Sequence, residues 1–551
     1  MVGKKAISYQ FFSPNDFLAA ITQHILRKGA QMVRYYDWYP NKIYPRCSSQ
    51  PKKRQDLPVD FAPALCHHRT MIRGTKNEFS VPRVALSTGG RAKKQFSISN
   101  SLIRIVVLDD DPTGIQTVHG NYLLTRWDTA TLRMALTDEQ RFFYVLTNTR
   151  AYSAEKARQI VGEIVASVLK VNQDLGCSLV FVSRSDSTLR NHFPAEIETI
   201  LLGLEQQDGR PADAVFLVPA FIECGRVTAD NTHYLVEGGR RIPVSETEFA
   251  RDSVFGYRTA VLPDYIEEKT HGAVRAADVR CIPLEWLRPP VQSPKSKAPN
   301  GGQRQGRGQL DAFLQKLSNR RHVVVNAETY ADLNCFARAV LKQVAAGKRF
   351  VFQSAGSVVK ALAGIPDKPF LGKEIVRGTG PGLFVAGSHV GRTTAQLGKL
   401  LGASGVQGVE LAVSDILASG QALQRPLLDR IHTIWQKGIT PVVFTSRSEL
   451  KFESKEERLR AGETISHFLS DLVRALPMKP SYLVAKGGIT SHDILVRGLC
   501  VCHARVLGQL LPGVPVIRTP DDSPLPGIPY VIFPGNVGGE DALLKVFEIL
   551  K

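Results

Sequence analysis

A repeating pattern restricts the fold of this 551-residue chain more than any other feature. A short run of β-branched, aliphatic or aromatic residues is followed by polar or glycine residues, and then by a stretch with helical periodicity. The runs lie at 103–108, 142–146, 179–182, 215–218, 323–325, 350–352, 383–386, 442–444, 482–484 and 530–533. Strands that alternate with helices predict α/β domains with mainly parallel sheets.

The clearest helix is predicted to begin just after Ser153, whose side chain is suited to an N-cap. The residues that follow place their apolar side chains at helical spacing on one face, at Ile160, Val161, Ile164, Val165, Val168 and Leu169. A helix with one apolar face packs that face against a sheet or another helix.

Two segments lack the pattern and divide the chain. Residues 1–98 show no sustained periodicity, and we predict a basic, poorly ordered extension there. Residues 287–310 contain four prolines and four glycines, and we predict a linker or surface insertion without helix or strand. The remaining segments, 99–286 and 311–551, are predicted to form two α/β domains with the active site in the cleft between them.

The net charge of +19 is concentrated in the same two segments. Residues 1–100 hold 17 Lys and Arg against 5 Asp and Glu, and residues 287–310 hold five basic residues and no acidic one, which leaves +2 elsewhere. A nearly neutral body argues against a nucleic-acid-binding domain. The longest apolar runs are about nine residues, half of what spans a bilayer, and the eight cysteines have no C-x-x-C spacing. We expect a cytoplasmic protein without membrane or nucleic-acid partners.

Ligands of open α/β sheets bind beyond the carboxyl ends of the strands, so the residues after each run are the candidates for chemistry. In the first domain they mix carboxylates with guanidinium groups, at Asp109, Asp110, Asp111, Thr113, Gly114, Arg150, Arg184, Asp186, Ser187, Thr188, Arg190, Glu223 and Arg226. Arginine can hold a carboxylate through two hydrogen bonds, and an aspartate can accept a hydroxyl proton. The mixture is typical of a site for a polyhydroxylated anion.

In the second domain the corresponding residues are small and neutral. They include Gly387, Ser388, Thr445, Ser446, Gly487, Gly488, Thr490, Gly535, Asn536, Gly538 and Gly539. Glycine turns that open a helix present backbone N–H groups to phosphates. One domain for an anionic acceptor and one for a phosphate-rich donor together indicate a small-molecule kinase.

The motifs resemble those of the four-carbon acid sugar kinases. The N-terminal domain of that family is matched by DDDPTGIQTVHG at 109–120, TNTRAYS at 147–153, SRSDSTLRNHFPAE at 183–196, PAFIECGRVTADNTHYL at 219–235 and ETEFARDSVFGY at 246–257. The C-terminal, nucleotide-binding domain is matched by QSAGSVVKAL at 353–362, VAGSHVGRTTAQL at 385–397, TSRS at 445–448, AKGGITSHDIL at 485–495 and FPGNVGGEDAL at 533–543.

The resemblance implies ATP-dependent phosphorylation of the terminal hydroxyl of a four-carbon sugar acid, such as threonate, erythronate or 3-oxo-tetronate, with Mg2+ as the metal. By similarity, the acceptor site falls on Asp110, Asp111, Thr113, Gly114, Asp186, Ser187, Thr188 and Arg190. The ATP site falls on Ser388, Gly487, Gly488, Thr490, Gly535 and Asn536. The sequence leaves open the acid that is used, the metal ligands and whether the protein forms a homodimer.

For the mechanism we expect Asp111 or Asp110 to take the proton from the acceptor hydroxyl. Arg184 and Arg190 are expected to hold the substrate carboxylate, while Asp186 orients a hydroxyl. Residue 184 is Arg where many family members have Lys, a departure that bears on the acceptor.

Two other classes of protein share some of these features. A nucleotide-dependent oxidoreductase has the same α/β layout, but no G-x-G-x-x-G follows a predicted strand. A regulatory or nucleic-acid-binding protein would use the basic extension, and its DNA binding would be salt-sensitive. We rank both below the kinase.

Overall fold

The computed structural model describes residues 102–288, 302–388, 391–447, 454–535 and 537–551. The predicted extension at 1–98 lies outside these residues, as do most of the predicted linker and Asn536.

The strands of the described residues follow the predicted apolar runs, with additions. They are β1 (Ile103–Asp109), β2 (Tyr122–Leu124), β3 (Phe142–Leu146), β4 (Ser178–Arg184), β5 (Ala214–Val218), β6 (Arg226–Ala229), β7 (Thr232–Glu237), β8 (Arg240–Pro243), β9 (Arg280–Ile282), β10 (Arg321–Val325), β11 (Phe350–Ser354), β12 (Leu383–Ala386), β13 (Val406–Leu411), β14 (Thr440–Thr445), β15 (Leu483–Lys486), β16 (His503–Leu511), β17 (Val514–Arg518) and β18 (Pro529–Phe533).

The α-helices alternate with these strands. They are α1 (Thr129–Leu136), α2 (Ala154–Leu175), α3 (Ala195–Asp208), α4 (Leu262–Lys269), α5 (Leu284–Leu287), α6 (Gly302–Lys316), α7 (Tyr330–Ala345), α8 (Gly356–Ala363), α9 (Gly391–Leu401), α10 (Val413–Gln436), α11 (Lys455–Arg474), α12 (Gly488–Asp493) and α13 (Ala542–Leu550). The predicted N-cap of α2 is confirmed, because the Ser153 side chain accepts a hydrogen bond from the amide of Lys156. No helix of the described ranges combines the length and apolarity needed to cross a bilayer.

One sheet of fifteen strands runs through the described residues, in the order β13-β14-β12-β15-β18-β17-β16-β2-β3-β1-β4-β11-β5-β10-β9. Pairing is parallel except where β16 meets β2 and β17, and where β17 meets β18. A separate antiparallel sheet is formed by β6, β7 and β8. The predicted fold class of two α/β units with mainly parallel pairing is confirmed, and the antiparallel strands β16 and β17 join the two units into one sheet.

The parallel strands are buried on both faces because helices cover both sides of the sheet. Alternate residues of β1 show this: Ile105 and Val107 belong to one hydrophobic cluster, whereas Val106 and Leu108 belong to another. A third cluster, which includes Phe384 and Phe547, fills one side of the C-terminal unit. These layers fix the strand ends that carry the polar residues.

The strands β10 and β11 lie among strands of the N-terminal unit, since β11 pairs with β4 and β5, and β10 pairs with β5 and β9. The sequence pattern groups both with the second domain, from residue 311 onward. The spacing of apolar runs identifies strands but does not show which strands pair. The observed pairing therefore moves the boundary between the two domains from residue 311 toward β12. Helix α6 also begins inside the predicted linker.

Candidate active site

The acidic tract of the sequence lies at the carboxyl end of β1. Asp109 ends the strand with 0% exposure, and its Oδ1 lies 3.3 Å from Arg184 Nη1, at the end of the neighbouring β4. Gly114 packs against this carboxylate so closely that a β-carbon there would lie 1.9 Å from Asp109 Oδ1. The chain turns back over the buried carboxylate of Asp109 at this point. Lack of space therefore explains the glycine of the Thr113-Gly114 pair.

Arg150, which follows β3, joins the other two aspartates. Its Nη2 donates to Asp110 Oδ1 at 2.5 Å and its Nε to Oδ2 at 3.1 Å, while Nη1 donates to Asp111 Oδ2 at 3.2 Å. Asp111 also accepts hydrogen bonds from the amide of Thr113 at 2.8 Å and from its hydroxyl at 2.5 Å. One guanidinium thus holds two adjacent carboxylates in a fixed arrangement.

The two carboxylates differ in acidity because their surroundings differ. Burial raises the pKa of Asp110 to about 6, although Arg150 acts in the opposite direction. Burial also raises the pKa of Asp111, but the charge of Arg150 and the hydrogen bonds from Thr113 outweigh it, so this pKa lies below its ordinary value. Asp111 keeps 22% of its side chain exposed, against 3% for Asp110. Asp111 is the more acidic and the more accessible member of the pair.

The loop that carries Arg150 is anchored from behind by a buried carboxylate. Glu196 Oε1 accepts a hydrogen bond from the Thr149 hydroxyl at 2.6 Å, and Oε2 accepts one from the Ser183 hydroxyl at 2.8 Å. Asn148 adopts a left-handed backbone conformation with φ of 51°, which sharpens the turn after β3. The loop is therefore tied both to α3 and to the end of β4.

The second acceptor motif forms a loop after β4. Asp186 accepts hydrogen bonds from the Thr188 hydroxyl and from Arg190 Nε, the latter at 2.7 Å. Arg190 Nη1 lies 3.9 Å from Asp252 Oδ2, and the guanidinium stacks over the Phe249 ring at 4.8 Å. The charged groups of this loop are thus paired with one another along one wall of the site.

Three buried rings hold the backbone of the same loop. His233 Nε2 donates to the carbonyl of Ser187 at 2.8 Å, the Tyr257 hydroxyl donates to that of Thr188 at 2.8 Å, and the Tyr265 hydroxyl donates to that of Leu189 at 3.1 Å. Burial lowers the pKa of His233 to about 4, so the ring is neutral at neutral pH. Loop position is therefore set by side chains from β7 and α4 and from the segment between them.

One expected role does not fit this arrangement. The sequence predicts that Arg184 holds a substrate carboxylate, but the residue is 5% exposed and paired with Asp109. A buried, paired guanidinium has no open face for a ligand. The arginine at this position stabilises the buried carboxylate of β1 instead.

The glycine turns of the C-terminal unit meet at one place. Gly487 has φ of 112°, and a β-carbon there would lie 3.4 Å from Ser388 Cβ. A β-carbon on Gly387 would lie 2.6 Å from Thr490 Oγ1. The turns after β12 and β15 therefore need glycine for two reasons, the close approach at Gly387 and the positive φ at Gly487.

Lys486, the last residue of β15, connects these turns to the one after β18. The side chain is 1% exposed, donates to the carbonyls of Pro534 at 2.5 Å and Gly535 at 3.1 Å, and lies 4.2 Å from the centre of the Phe533 ring. Burial, with a smaller contribution from the charge of Arg392, lowers its pKa to about 7. A buried ammonium group without a carboxylate partner among the described residues favours an anionic ligand nearby.

The acidic tract and the glycine turns face each other. A β-carbon built on Gly488 would lie 3.7 Å from Asp111 Oδ2, and the charge of Asp111 also reaches His492, one helical turn further along α12. The structure therefore brings together Asp110, Asp111, Thr113 and Gly114 with Ser388, Gly487, Gly488, Thr490 and Gly535. Asn536 lies outside the described residues.

Two residues of the site, Glu196 and Lys486, were not selected from the sequence. Arg150 was a candidate, but only because it follows β3. Lys486 carries a better signal, because it is a charged residue at the end of an otherwise apolar run that leads into Gly487 and Gly488. Glu196 carries none, since a glutamate in the first turn of a helix is ordinary.

Family models match both units of the chain. A model described as a sugar-binding N-terminal domain matches residues 105–362, and one described as a nucleotide-binding C-terminal domain matches residues 383–543. The chain belongs to the four-carbon acid sugar kinase family. In this member of the family, the acidic tract and the 186–190 loop lie in the sugar-binding segment. The glycine turns lie in the nucleotide-binding segment.

Solved structures share the fold at low sequence identity. Protein HI1011 of Haemophilus influenzae, described under the family model DUF1537, has a TM-score of 0.56 and 14% identity, over 81% of this chain and 100% of its own. A Salmonella typhimurium LT2 protein provisionally described as a tRNA synthase has a TM-score of 0.58 and 15% identity, over 80% and 98% of the two chains. The comparison with curated proteins gives no match. The structural likeness concerns the fold.

Within the described ranges, no group of three or more His, Cys, Asp or Glu side chains is arranged as a metal site. Mg2+ takes one or two carboxylates together with substrate phosphates in many phosphotransferases, so it needs no such group. Asp111, with 22% of its side chain exposed beside Gly488, supplies carboxylate oxygens of the kind that such an ion prefers.

Proposed function

We propose that this protein is an ATP-dependent kinase that phosphorylates the terminal hydroxyl of a four-carbon sugar acid. The main support is the position of Asp111, which belongs to the sugar-binding segment and lies beside the turn at Gly488 of the nucleotide-binding segment. A carboxylate at that position can meet an acceptor hydroxyl at the point where a nucleotide phosphate ends.

Asp111 accepts the proton of the acceptor hydroxyl in this proposal. Its low pKa makes it a weak base, but phosphoryl transfer passes through a loose transition state in which the nucleophile needs little activation. Arg150 fixes the direction of the carboxylate, and Asp110 fixes Arg150. The catalytic contribution of these residues is therefore mainly positioning.

The donor site is assigned to the backbone and hydroxyl groups of Ser388, Gly488, Thr490 and Gly535, with the positive charge of Lys486 behind them. Mg2+ bound with the nucleotide would neutralise charge on the phosphates. The 186–190 loop is assigned to the hydroxyl groups of the acid, because it carries the partly exposed side chains of Asp186 and Arg190. We propose a cytoplasmic location for this activity.

The test of the function is a screen for ADP release. The full-length protein is incubated with ATP, Mg2+ and each stereoisomer of threonate, erythronate and 3-oxo-tetronate, and the phosphorylated product is identified by mass spectrometry. We expect one acid to be converted at a rate well above that of ATP hydrolysis without acceptor. Conversion of none of them would contradict the proposed function.

The role of Asp111 is tested in the same assay. Asp111→Asn should lower turnover by about 10²- to 10⁴-fold, the range for loss of a positioned base, and leave ATP affinity within about twofold. Asp174→Asn is the matched control, because this aspartate is 66% exposed and pairs with Arg133 on the surface. Equal turnover of the Asp111→Asn variant and the wild type would remove Asp111 from this role.

A further inference from the structure

The three arginines beside the carboxylates of the acceptor motifs are each paired with one of them. Arg150 pairs with Asp110 and Asp111, Arg184 with Asp109, and Arg190 with Asp186. An acid acceptor carries one negative charge that is not transferred, and these three arginines are already paired. A further cation is needed to recognise it.

Arg226 meets that requirement. It is the first residue of β6, and its Nη1 donates to the carbonyl of Cys224 at 2.6 Å. Its Nε is buried and has no hydrogen-bond partner among the described residues, and no described carboxylate lies within ion-pair distance. The guanidinium therefore retains both its charge and unused donors.

The turn before Arg226 is built to fix its position. Gly225 has φ of 68°, and a β-carbon there would lie 2.7 Å from the carbonyl oxygen of Val236, so any other residue would displace the strand β7. The backbone of Arg226 also exchanges two hydrogen bonds with Phe221, at 2.9 and 3.0 Å. The Gly225-Arg226 pair of the sequence thus places one arginine at a defined point, the start of β6 in the small antiparallel sheet.

Electrostatics connect Arg226 to the acceptor loop. Burial raises the pKa of the Cys224 thiol, and the charges of both Arg226 and Arg184 oppose that rise. The pKa of His233, which is lowered mainly by burial, is also influenced by Arg226 and by Asp186 in opposite directions. Geometry places Arg226 near the same loop, because Arg226 pairs with Leu235 of β7, two residues from His233, whose ring bonds to the carbonyl of Ser187 at 2.8 Å.

We propose that Arg226 binds the carboxylate of the acid acceptor. The inference rests on the proposed function, since it concerns the substrate of that site. With Nη1 held by the Cys224 carbonyl and Nε buried, Nη2 is the donor that the guanidinium offers to a carboxylate, and the contact is charge-assisted. Arg226 is then a specificity residue that distinguishes a sugar acid from a neutral polyol.

The test compares binding of the acid with binding of its neutral amide. Threonate or erythronate, and the corresponding amides, are titrated calorimetrically into the full-length wild type and the variants Arg226→Gln and Arg226→Lys. We expect Arg226→Gln to lower affinity for the acid about 10- to 100-fold, the loss typical of a charge-assisted contact, and to leave amide and ATP affinities within about twofold. Arg258→Gln, at an arginine with 87% exposure, should behave as the wild type.

The outcomes separate this inference from the proposed function. Unchanged acid binding in Arg226→Gln, or a wild type that binds none of the acids, would overturn the role of Arg226. Loss of acid binding in this variant, together with no phosphate transfer by the wild type, would support Arg226 and contradict the kinase. If Arg226→Gln does not fold, the acid-to-amide affinity ratio of Arg226→Lys decides: a fall supports the role, and an unchanged ratio refutes it.

Discussion

Lys486 shows how one buried side chain can couple ligand binding to pH. Its pKa of about 7 lies below the ordinary 10.5 because burial disfavours the ammonium form. A bound nucleotide phosphate would favour that form and raise the pKa. Binding should therefore be accompanied by proton uptake wherever the free enzyme holds Lys486 neutral.

We predict that ATP affinity of the wild type falls as pH rises above about 7. The dependence of ATP affinity on pH should approach the uptake of one proton per nucleotide bound. The Lys486→Met variant should bind ATP more weakly, and its affinity should depend less on pH. Affinity is measured by titration between about pH 6 and 9, and Lys486→Arg is the control because arginine keeps its charge throughout that range. A pH-independent affinity of the wild type would contradict the assignment.

The same residue affects stability with the opposite sign. Between the folded pKa of about 7 and the unfolded value of 10.5, the unfolded chain binds more protons than the folded one. The contribution of Lys486 to the free energy of unfolding therefore rises with pH across that window and is lowest below it. Nucleotide binding and the stability of the free protein should thus change in opposite directions on the alkaline side of neutrality.

Gly114 gives a second prediction at this scale, based on space alone. Gly114→Ala would place a methyl group 1.9 Å from Asp109 Oδ1, and this carboxylate cannot move without breaking its pair with Arg184. We expect a loss of about 1–3 kcal/mol in the free energy of unfolding, as for overpacked cores, and a turnover defect from displacement of Asp111. Urea unfolding measures the first. Gly398→Ala, at an open position on α9, should not destabilise the protein.

At the scale of elements, the 186–190 loop depends on residues distant in sequence. We predict that Tyr257→Phe, which leaves the Thr188 carbonyl without its hydroxyl partner, lowers the free energy of unfolding by about 1–2 kcal/mol and raises KM for the acid more than it lowers kcat. Tyr234→Phe, at a half-buried tyrosine of β7, is the control. Equal effects of the two substitutions on KM would show that the loop does not depend on Tyr257.

The elements themselves were largely readable from the sequence, and the exceptions have a physical reason. β12 begins and ends at the predicted residues, and α2 begins at the predicted cap. The strand β16 was missed because its buried and half-buried positions alternate, so that His503, Arg505 and Gln509 interrupt any apolar run. A search for continuous runs finds strands covered on both faces and overlooks an antiparallel strand such as this one.

The site shows a similar division between what neighbours in sequence reveal and what contacts across the fold decide. The acidic tract and glycine turns are visible as short motifs, because each is built from adjacent residues. The pairing of Arg184 with Asp109 is not, since it depends on the register of β4 against β1. Arg150 bridges Asp110 and Asp111 only because β3 and β1 are neighbours in the sheet.

At the scale of the whole molecule, the meeting of Asp111 with Gly488 depends on the path of the long sheet. The antiparallel pairings of β16 and β17 reverse the direction of the C-terminal strands relative to β1, which on a flat sheet would send the two sets of carboxyl ends to opposite edges. Twist of about 20–25° per strand step accumulates along the sheet. Register irregularities in β16, near Gly508 with φ of 136°, add local bending.

The junction between β16 and β2 therefore decides whether the two halves of the site stay aligned, and Arg505 stabilises that junction. Its Nη1 donates to Asp138 Oδ2 and to the carbonyl of Gly120, each at 2.8 Å, and its guanidinium lies 3.7 Å from the centre of the Tyr122 ring. These contacts join a strand of the C-terminal unit to three positions of the N-terminal unit. Without the Arg505 side chain, the two units should be held less rigidly relative to each other. The acceptor site and the nucleotide site should each keep their own geometry.

We predict that Arg505→Ala lowers kcat about tenfold or more, since a displacement of about 1 Å in a reacting geometry has effects of this order or larger, while the affinities for ATP alone and for the acid alone change by less than about twofold. Arg497→Ala is the matched control: this arginine also grips one aspartate, Asp471, with two hydrogen bonds of 2.8 and 2.7 Å, but both residues belong to the C-terminal unit. The Arg497→Ala variant should lose an ion pair comparable to the one lost in Arg505→Ala and keep the turnover of the wild type. Equal turnover defects in the two variants would mean that general destabilisation, and not alignment across the junction, limits the reaction.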